Sequence, residues 1–415
     1  MRVFVINRRG KPLMPCSPAK ARVLLREKKA KVRQRTPFTI QLTIATGESK
    51  QNITLGQDAG YRHVGLSATT EKAELFASET ELRHDIPDLL ATRLAMRHNR
   101  RQRKTRYRAP RFNNRVHNRK KGWLAPSVEH RIDSHIRLIE NVCRLLPVTK
   151  IMVETASFDI QAIRNPDISG LQYQQGEQLG FWNVREYVLW RDGHKCQHCK
   201  GKSKDPILNV HHLESRKTGG DSPNNLVTLC GTCHKAYHAG QIDLNFKRRR
   251  SMRSEASMGI MRWALFNRLK EIHLDKTVKS TYGFFTKYTR IKHGIEKTHC
   301  ADAFCITGNL NAKRLPDYLL QKQVRKHNRQ THKMTIGKGG VRKRQQAPYQ
   351  VFGFRLFDKV RLGNREGFIF GRRSKGCFDI RKITGERITE VTYRKLKLVE
   401  PRKSFLIVVC PLDSL

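Results

Sequence analysis

The spacing of apolar and polar positions predicts a succession of small α/β units. Over residues 1–50, "RVFVI" reads as a strand, "KPLMP" as a turn, "SPAKARVLLREKKA" as a helix capped by Ser17, and "PFTIQLTI" as a second strand. From Asn52 the pattern changes: "ITLGQDAG", "HVGLSATT" and "ELFASET" predict three short strands of a meander, with Asp58 ending the first. No Pro or Gly interrupts Leu89 to Ala109, which predicts a helix started by Asp85 and Asp88. Val128 to Leu145 predicts a second helix, and "VTKIMVETASFD" a buried strand ending at Glu154, followed by polar, Gln-rich sequence. After a Cys/His-rich block over roughly Arg185 to Gly240, helices are expected near Ala256 to Ile272 and in "THCADAFCITGNL". From Tyr349 to Leu415, short β-type runs with Gly turns suggest a small barrel, and the chain holds no internal repeat.

Charge narrows the class of partner. The 415 residues include 83 Lys plus Arg against 35 Asp plus Glu, a formal charge of +48, which is self-repulsive unless a polyanion such as nucleic acid is bound. Leu89 to Val128 contains no acid, while Arg93, Arg97, Arg100, Arg101, Arg103, Lys104, Arg106, Arg108 and Arg111 follow closely. Such a run is as often a solvated face or a tail, but its place between folded segments favours a helix against phosphates. No apolar stretch nears ~20 residues and no signal peptide is read at Met1 to Lys11, so a cytoplasmic protein is expected. Four of the ten cysteines form two Cys-x-x-Cys pairs, the usage of a metal site in a reducing compartment.

Cys196, Cys199, Cys230 and Cys233 have zinc-ribbon spacing and make a closed structural Zn²⁺ site. By itself "LCGTCHKAYHAG" is also compatible with one zinc held by Cys230, Cys233, His234 and His238, or with a second Cys/His zinc that includes His194 or His198. The fuller block "VHHLESRKTGGDSPNNLVTLCGTCHKAYH" resembles the HNH (ββα-metal) endonucleases. That resemblance implies His211 as a metal ligand on a strand, His212 as general base and Asn225 as the residue that holds its ring. It further implies His234 and His238 as ligands one helical turn apart, around a catalytic Mg²⁺. Residues at i and i+4 do share a helix face, and neighbours on a strand point to opposite sides, so the chemistry is compatible with this mapping.

The order of motifs resembles the IscB family, transposon-associated RNA-guided nucleases related to the type II CRISPR effectors. "KPLMP" resembles its N-terminal signature, "LGQDAG", "VETASFD" and "HCADAF" its three RuvC motifs, and the arginine-rich run its bridge helix. The fold implied is α/β and multidomain: an RNase H-like RuvC core split in three, an inserted HNH domain, a small N-terminal PLMP module and a C-terminal β-barrel-like domain. The corresponding boundaries are 1–50 (PLMP), 51–84 (RuvC I), 85–121 (bridge helix and linker), 122–180 (RuvC II), 181–245 (HNH), 246–320 (RuvC III), 321–348 (basic linker contacting RNA) and 349–415 (target-adjacent motif). On such a core Asp58, Glu154 and Asp302 hold Mg²⁺, and His299 activates water or orients the scissile group. The implied activity is cleavage of double-stranded DNA, directed by a guide RNA made from the element's own transcript, with one protein per RNA. HNH cuts the guide-paired strand and RuvC the displaced one. The alternatives are an RNA-independent HNH homing-type endonuclease and a non-catalytic zinc-containing RNA-binding protein. One departure stands out: family members usually show Gly-Ile-Asp-Pro-Gly where this chain has Gly56, Gln57, Asp58, Ala59 and Gly60.

Overall fold

β1 (Val3–Ile6) is buried along its whole length, as its unbroken apolar run requires. In the computed structural model, residues 2–102, 122–155, 178, 180–214, 221–246, 253–325, 334–337, 340–343 and 347–412 are described. β2 (Pro12–Cys16), α1 (Pro18–Arg26), β3 (Ala30–Gln34) and β4 (Thr39–Leu42) complete a four-stranded sheet of order β2-β1-β4-β3. The Ser17 hydroxyl accepts the Lys20 amide at 3.3 Å, giving α1 the cap its sequence predicts. Two expectations are corrected here. "KPLMP" contributes a strand rather than a turn, and the helix stops at Arg26 because Ala30 to Gln34 ladders onto β4.

The expected meander forms as β5 (Thr54–Ala59), β6 (His63–Thr69) and β7 (Glu74–Glu81). α2 (Ile86–Gln102) and α3 (Pro126–Cys143) follow, then β8 (Lys150–Glu154). α3 buries Val128, Ile132, His135, Ile139 and Val142 on one stripe at helical spacing, and each wholly buried aliphatic side chain among them contributes about 1.5–3 kcal/mol. Next come α4 (Val184–Arg191), β9 (Leu208–His212), β10 (Leu226–Cys230) and α5 (Gly231–His238). The chain continues with α6 (Arg253–Ile272), β11 (Thr277–Thr281), α7 (Gly283–Lys292), α8 (His299–Thr307) and β12 (Asp317–Gln323). A hairpin of β13 (Met334–Gly337) and β14 (Gly340–Lys343) precedes β15 (Lys359–Leu362), β16 (Arg365–Arg372), β17 (Cys377–Arg381), β18 (Arg387–Thr392), β19 (Lys397–Glu400) and β20 (Phe405–Pro411).

The chain divides into two compact units, residues 1–157 with 260–415, and residues 158–259. The first is built on a seven-stranded sheet of order β11-β8-β5-β6-β7-β12-β20. β11 and β8 run parallel to β5, so the strands carrying Asp58 and Glu154 lie side by side, with Gln57 paired to Val153. β15 to β19 form a separate antiparallel sheet of order β18-β17-β16-β15-β19, and its edge strands β18 and β19 are not laddered to each other. The barrel expectation is therefore met only as a five-stranded sheet. β20 leaves it altogether and pairs with β12 along Asp317–Gln323, so residues 405–411 belong to the central sheet rather than to a C-terminal domain. The expected basic linker likewise begins inside β12, and Lys326 to Lys333 fall outside the described residues.

Candidate active sites and metal centres

Within residues 158–259, β9 and β10 pair antiparallel and α5 packs on both. Cys230 ends β10 and caps α5, accepting the Cys233 amide at 3.4 Å, so the strand-to-helix turn brings one Cys-x-x-Cys pair together. Asp205 supports the same turn, accepting from the Thr232 amide at 2.6 Å and the Thr232 hydroxyl at 2.7 Å. The sulfur atoms of Cys196, Cys199, Cys230 and Cys233 all lie within 4.8 Å of one another. Ser203 Oγ sits 3.0 Å from Cys230 Sγ and 3.3 Å from Cys199 Sγ, and this contact is the main reason the Cys199 thiol is drawn down to about 5. Burial pushes the Cys233 thiol up. A divalent ion resolves that conflict by holding all four sulfurs as thiolates, so the cluster fits zinc. His198 Nδ1 lies 3.5 Å from Cys233 Sγ, at the edge of this cluster.

The histidines form a second, separate group. His211 on β9 faces His234 and His238 on α5, with ring centroids 5.2 and 5.3 Å away and their ligand nitrogens within 4.8 Å of one another. His211 is buried, and its Nε2 has no hydrogen-bond partner. Burial first, and then the neighbouring His234, His238 and His212, hold its pKa down to about 4, so the ring is a neutral donor at physiological pH. An unpartnered ring nitrogen facing two further imidazoles suits a divalent ion, and no cysteine of the zinc-type cluster is needed to complete the set.

His212 presents the other side of β9. Its Nε2 is 3.0 Å from Asp221 Oδ1, which fixes Nε2–H as the donor and leaves Nδ1 as the basic nitrogen. Asn225 departs from its expected role: its carboxamide accepts the Glu214 amide and donates to the Glu214 carbonyl, both at 2.9 Å. It is wholly buried and pins the chain that leaves β9, so it acts on the backbone beyond His212 while Asp221 holds the ring. Asp221 was not singled out from sequence because a lone acid after two glycines carries no periodic signal.

The acids converge in the other unit. α8 crosses β5 and β6 at a distance only glycine permits: a Cβ on Gly56 would meet the Ala303 carbonyl oxygen at 2.2 Å, and one on Gly65 the His299 carbonyl oxygen at 1.8 Å. The first turn of α8 thus delivers His299 and Asp302 to the end of β5. His299 Nδ1 lies 2.6 Å from Asp58 Oδ2, and this bond raises the imidazole pKa. Glu154, at the end of β8, is pushed up to about 7 by burial and then by the Asp58 charge, against a Thr286 hydroxyl that donates to Oε2 at 2.9 Å. Asp302 is raised for the same two reasons and pairs with Arg290 Nε at 3.1 Å. A cation near Asp58 would relieve the crowding that raises the Glu154 and Asp302 carboxyls, although the three acids do not form a group with ligand atoms all within 4.8 Å of one another. Thr286 and Arg290 come from α7, a helix the sequence reading did not identify.

The polar residue before Asp58 has a local partner. Gln57 is wholly buried, and its Nε2 lies 3.3 Å from Nδ1 of His135, itself wholly buried on α3. Of the basic run, Arg93, Arg97 and Arg101 are exposed on α2, whereas Arg103, Lys104, Arg106, Arg108 and Arg111 fall outside the described residues, as does the side chain of Arg100. Asp85 chelates Arg83 at 2.8 and 2.9 Å. No described helix is long and apolar enough to cross a membrane.

Comparison with known proteins bears on both units. Residues 3–176 match the family described as RRXRR protein, and residues 196–240 match the family described as HNH endonuclease. No curated protein matches. Among solved structures, Streptococcus thermophilus Cas9 in complex with the AGAA PAM is 13% identical, with 62% of this chain and 32% of that chain covered at a TM-score of 0.33. The same protein with the AGGA PAM is 15% identical over 45% of this chain and 26% of that chain, at a TM-score of 0.30. The chain thus spans about a third of the length of the first of these, 32%. The chain thus carries a segment like the RRXRR proteins over residues 3–176 and an HNH endonuclease domain over residues 196–240.

Proposed function

We propose that this protein is an RNA-guided endonuclease that cuts both strands of a DNA duplex next to a short flanking motif. One observation carries the reading: a single, strongly basic chain holds two separate groups of residues suited to phosphodiester hydrolysis, His211, His212, His234 and His238 in one unit and Asp58, Glu154, His299 and Asp302 in the other. Two centres on one chain suit two strands. In this reading His212 belongs to the centre that cuts the guide-paired strand, and the acids form a RuvC centre, on an RNase H-like sheet, for the displaced strand.

Asp58, Glu154 and Asp302, whose oxygens suit Mg²⁺, and His211, His234 and His238, whose imidazoles suit a later first-row divalent ion, would each hold a cation that would supply positive charge to the phosphate and acidify water. The protein's own residues handle the proton. In the first centre, Asp221 holds Nε2–H of His212, so Nδ1 takes the proton from the attacking water. In the second, Asp58 holds Nδ1–H of His299, so Nε2 is the nitrogen free to accept one. The exposed arginines of α2 bind the guide by its phosphates, residues 321–348 add RNA contacts, and the β15 to β19 sheet reads the flanking motif. Guide pairing supplies sequence recognition.

The test is cleavage of a matched supercoiled plasmid by protein copurified with its RNA. Wild type linearises the plasmid, whereas Asp58→Ala and His212→Ala each nick it, on opposite strands. Site-specific cutting by RNA-free protein, or equal loss of both nicks in either variant, overturns the reading.

A further inference from the structure

The geometry points to a second metal site beside the acid centre: His63, Glu79 and His299 form a site for a late first-row divalent ion of the Zn²⁺ class, and occupancy of that site blocks His299. The three residues meet because of Gly65. On β6, His63 and Gly65 are two positions apart and share a face of the sheet. Gly65 pairs directly with Glu79 on β7, which places Glu79 on that face as well. α8 begins over Gly65, with the His299 carbonyl where a Cβ would stand. His63 and His299 stack with centroids 5.4 Å apart and planes 9° from parallel. One ligand atom from each of His63, Glu79 and His299 lies within 4.8 Å of the others.

Two observations favour an ion over a simple polar cluster. Glu79 Oε2 is buried without a hydrogen-bond partner, an unsatisfied anionic oxygen beside two imidazoles. The ligand set is also the wrong one for Mg²⁺: two imidazoles and one carboxylate select zinc, cobalt, nickel, iron or manganese, whereas Asp58, Glu154 and Asp302 offer only oxygen. Metal–ligand bonds of about 2.1 Å put tetrahedral ligands about 3.4 Å apart, a span these side chains reach by small rotamer changes.

The functional consequence follows from His299 having two nitrogens. Asp58 engages Nδ1 at 2.6 Å, so an ion at this site takes Nε2, the nitrogen the hydrolytic reading uses as base. Asp58 then serves as the outer partner of a metal-bound imidazole. A soft-leaning ion and the proton therefore compete for one lone pair, and the displaced-strand cut is the reaction that stops.

The direct test needs neither RNA nor DNA, so it stands even where guided cleavage fails. Full-length protein carrying His234→Ala and His238→Ala, with zinc in its cysteine cluster and Mg²⁺ in excess, is titrated with Co²⁺ and followed by visible absorption. One equivalent of Co²⁺ is expected, and His63→Ala weakens its binding at least roughly tenfold. Glu79→Gln, which keeps the side-chain shape, does the same and covers the case in which the first variant misfolds. In the cleavage assay, micromolar Zn²⁺ slows the displaced-strand cut at constant Mg²⁺, and His63→Ala raises the inhibitory concentration at least roughly tenfold. Co²⁺ binding unchanged in both variants, or Zn²⁺ inhibition unchanged by His63→Ala, overturns the proposal.

Discussion

Gln57 and His135 face each other across the core, Nε2 to Nδ1 at 3.3 Å, with Gln57 one residue before Asp58. A polar side chain at this core position has a polar partner on α3. Truncating either residue alone leaves the other buried without its bond, a loss of about 1–3 kcal/mol. Gln57→Ile with His135→Leu removes both groups at once, and the double variant is expected to recover most of that loss. Thermal unfolding of the four-member cycle checks this; equal destabilisation in the double variant would sink it. Burial holds His135 near 3, so it charges only on unfolding, and its contribution, complete above about pH 6.5, is lost as pH falls toward 3.

Gly65 sets how close α8 comes to the sheet. Gly65→Ala puts a methyl 1.8 Å from the His299 carbonyl oxygen and forces the first turn of α8 outward. Overpacking of this kind costs about 1–3 kcal/mol. Because His299 and Asp302 move with that turn, the displaced-strand nick should fall far more than the guide-paired one. Strand-resolved cleavage of an end-labelled duplex distinguishes this from a general loss of folding.

Glu154 makes the acid centre pH-dependent in the neutral range. Its carboxyl, pushed up to about 7, is largely protonated at pH 6, and an incoming ion must displace that proton. Apparent Mg²⁺ affinity for the displaced-strand cut therefore falls as pH drops from 8 to 6. Folded-state protonation also means that this group's contribution to stability declines as pH rises from about 4.5 to 7. Thr286→Val removes the hydroxyl that favours the charged form, so the midpoint of the Mg²⁺ profile should move upward by up to about one pH unit. A downward or absent shift contradicts the assignment.

Asp221 and Asn225 separate two kinds of support for His212. Asp221→Asn replaces a group that can only accept with one that can also donate, so the Nε2–H tautomer is no longer selected, and it should slow the guide-paired cut at least roughly tenfold, leaving folding intact. Asn225→Ala instead frees the Glu214 backbone and should lower the thermal stability of residues 158–259 together with activity. Differential scanning calorimetry alongside strand-resolved kinetics tells the two apart.

Much of the architecture was legible where local pattern and tertiary demand agree. The β5 to β7 meander is short, alternating and punctuated, and the cysteine spacing needs no fold to be read. Reading failed where a distant partner decides. Ala30 to Gln34 is basic and mostly exposed, helix-like by composition, and becomes a strand only because β4 offers it a ladder. Phe405 to Pro411 looks like one more strand of its neighbours' sheet until β12 claims it. Thr286, Arg290 and Asp221 act through side-chain bonds to residues nine or more positions away in sequence, which no periodicity records.

β8 and β11 pair in register from Lys150 with Thr277 to Glu154 with Thr281, although the HNH endonuclease match lies between them in the chain. From the sheet's side, everything between these strands is one very long crossover. Closing a connection of about 120 residues instead of about 15 adds only roughly 2 kcal/mol of chain entropy. That is comparable to burying two or three methylene groups. An HNH domain can thus be carried as a loop, without re-laying a single strand of the sheet that bears it.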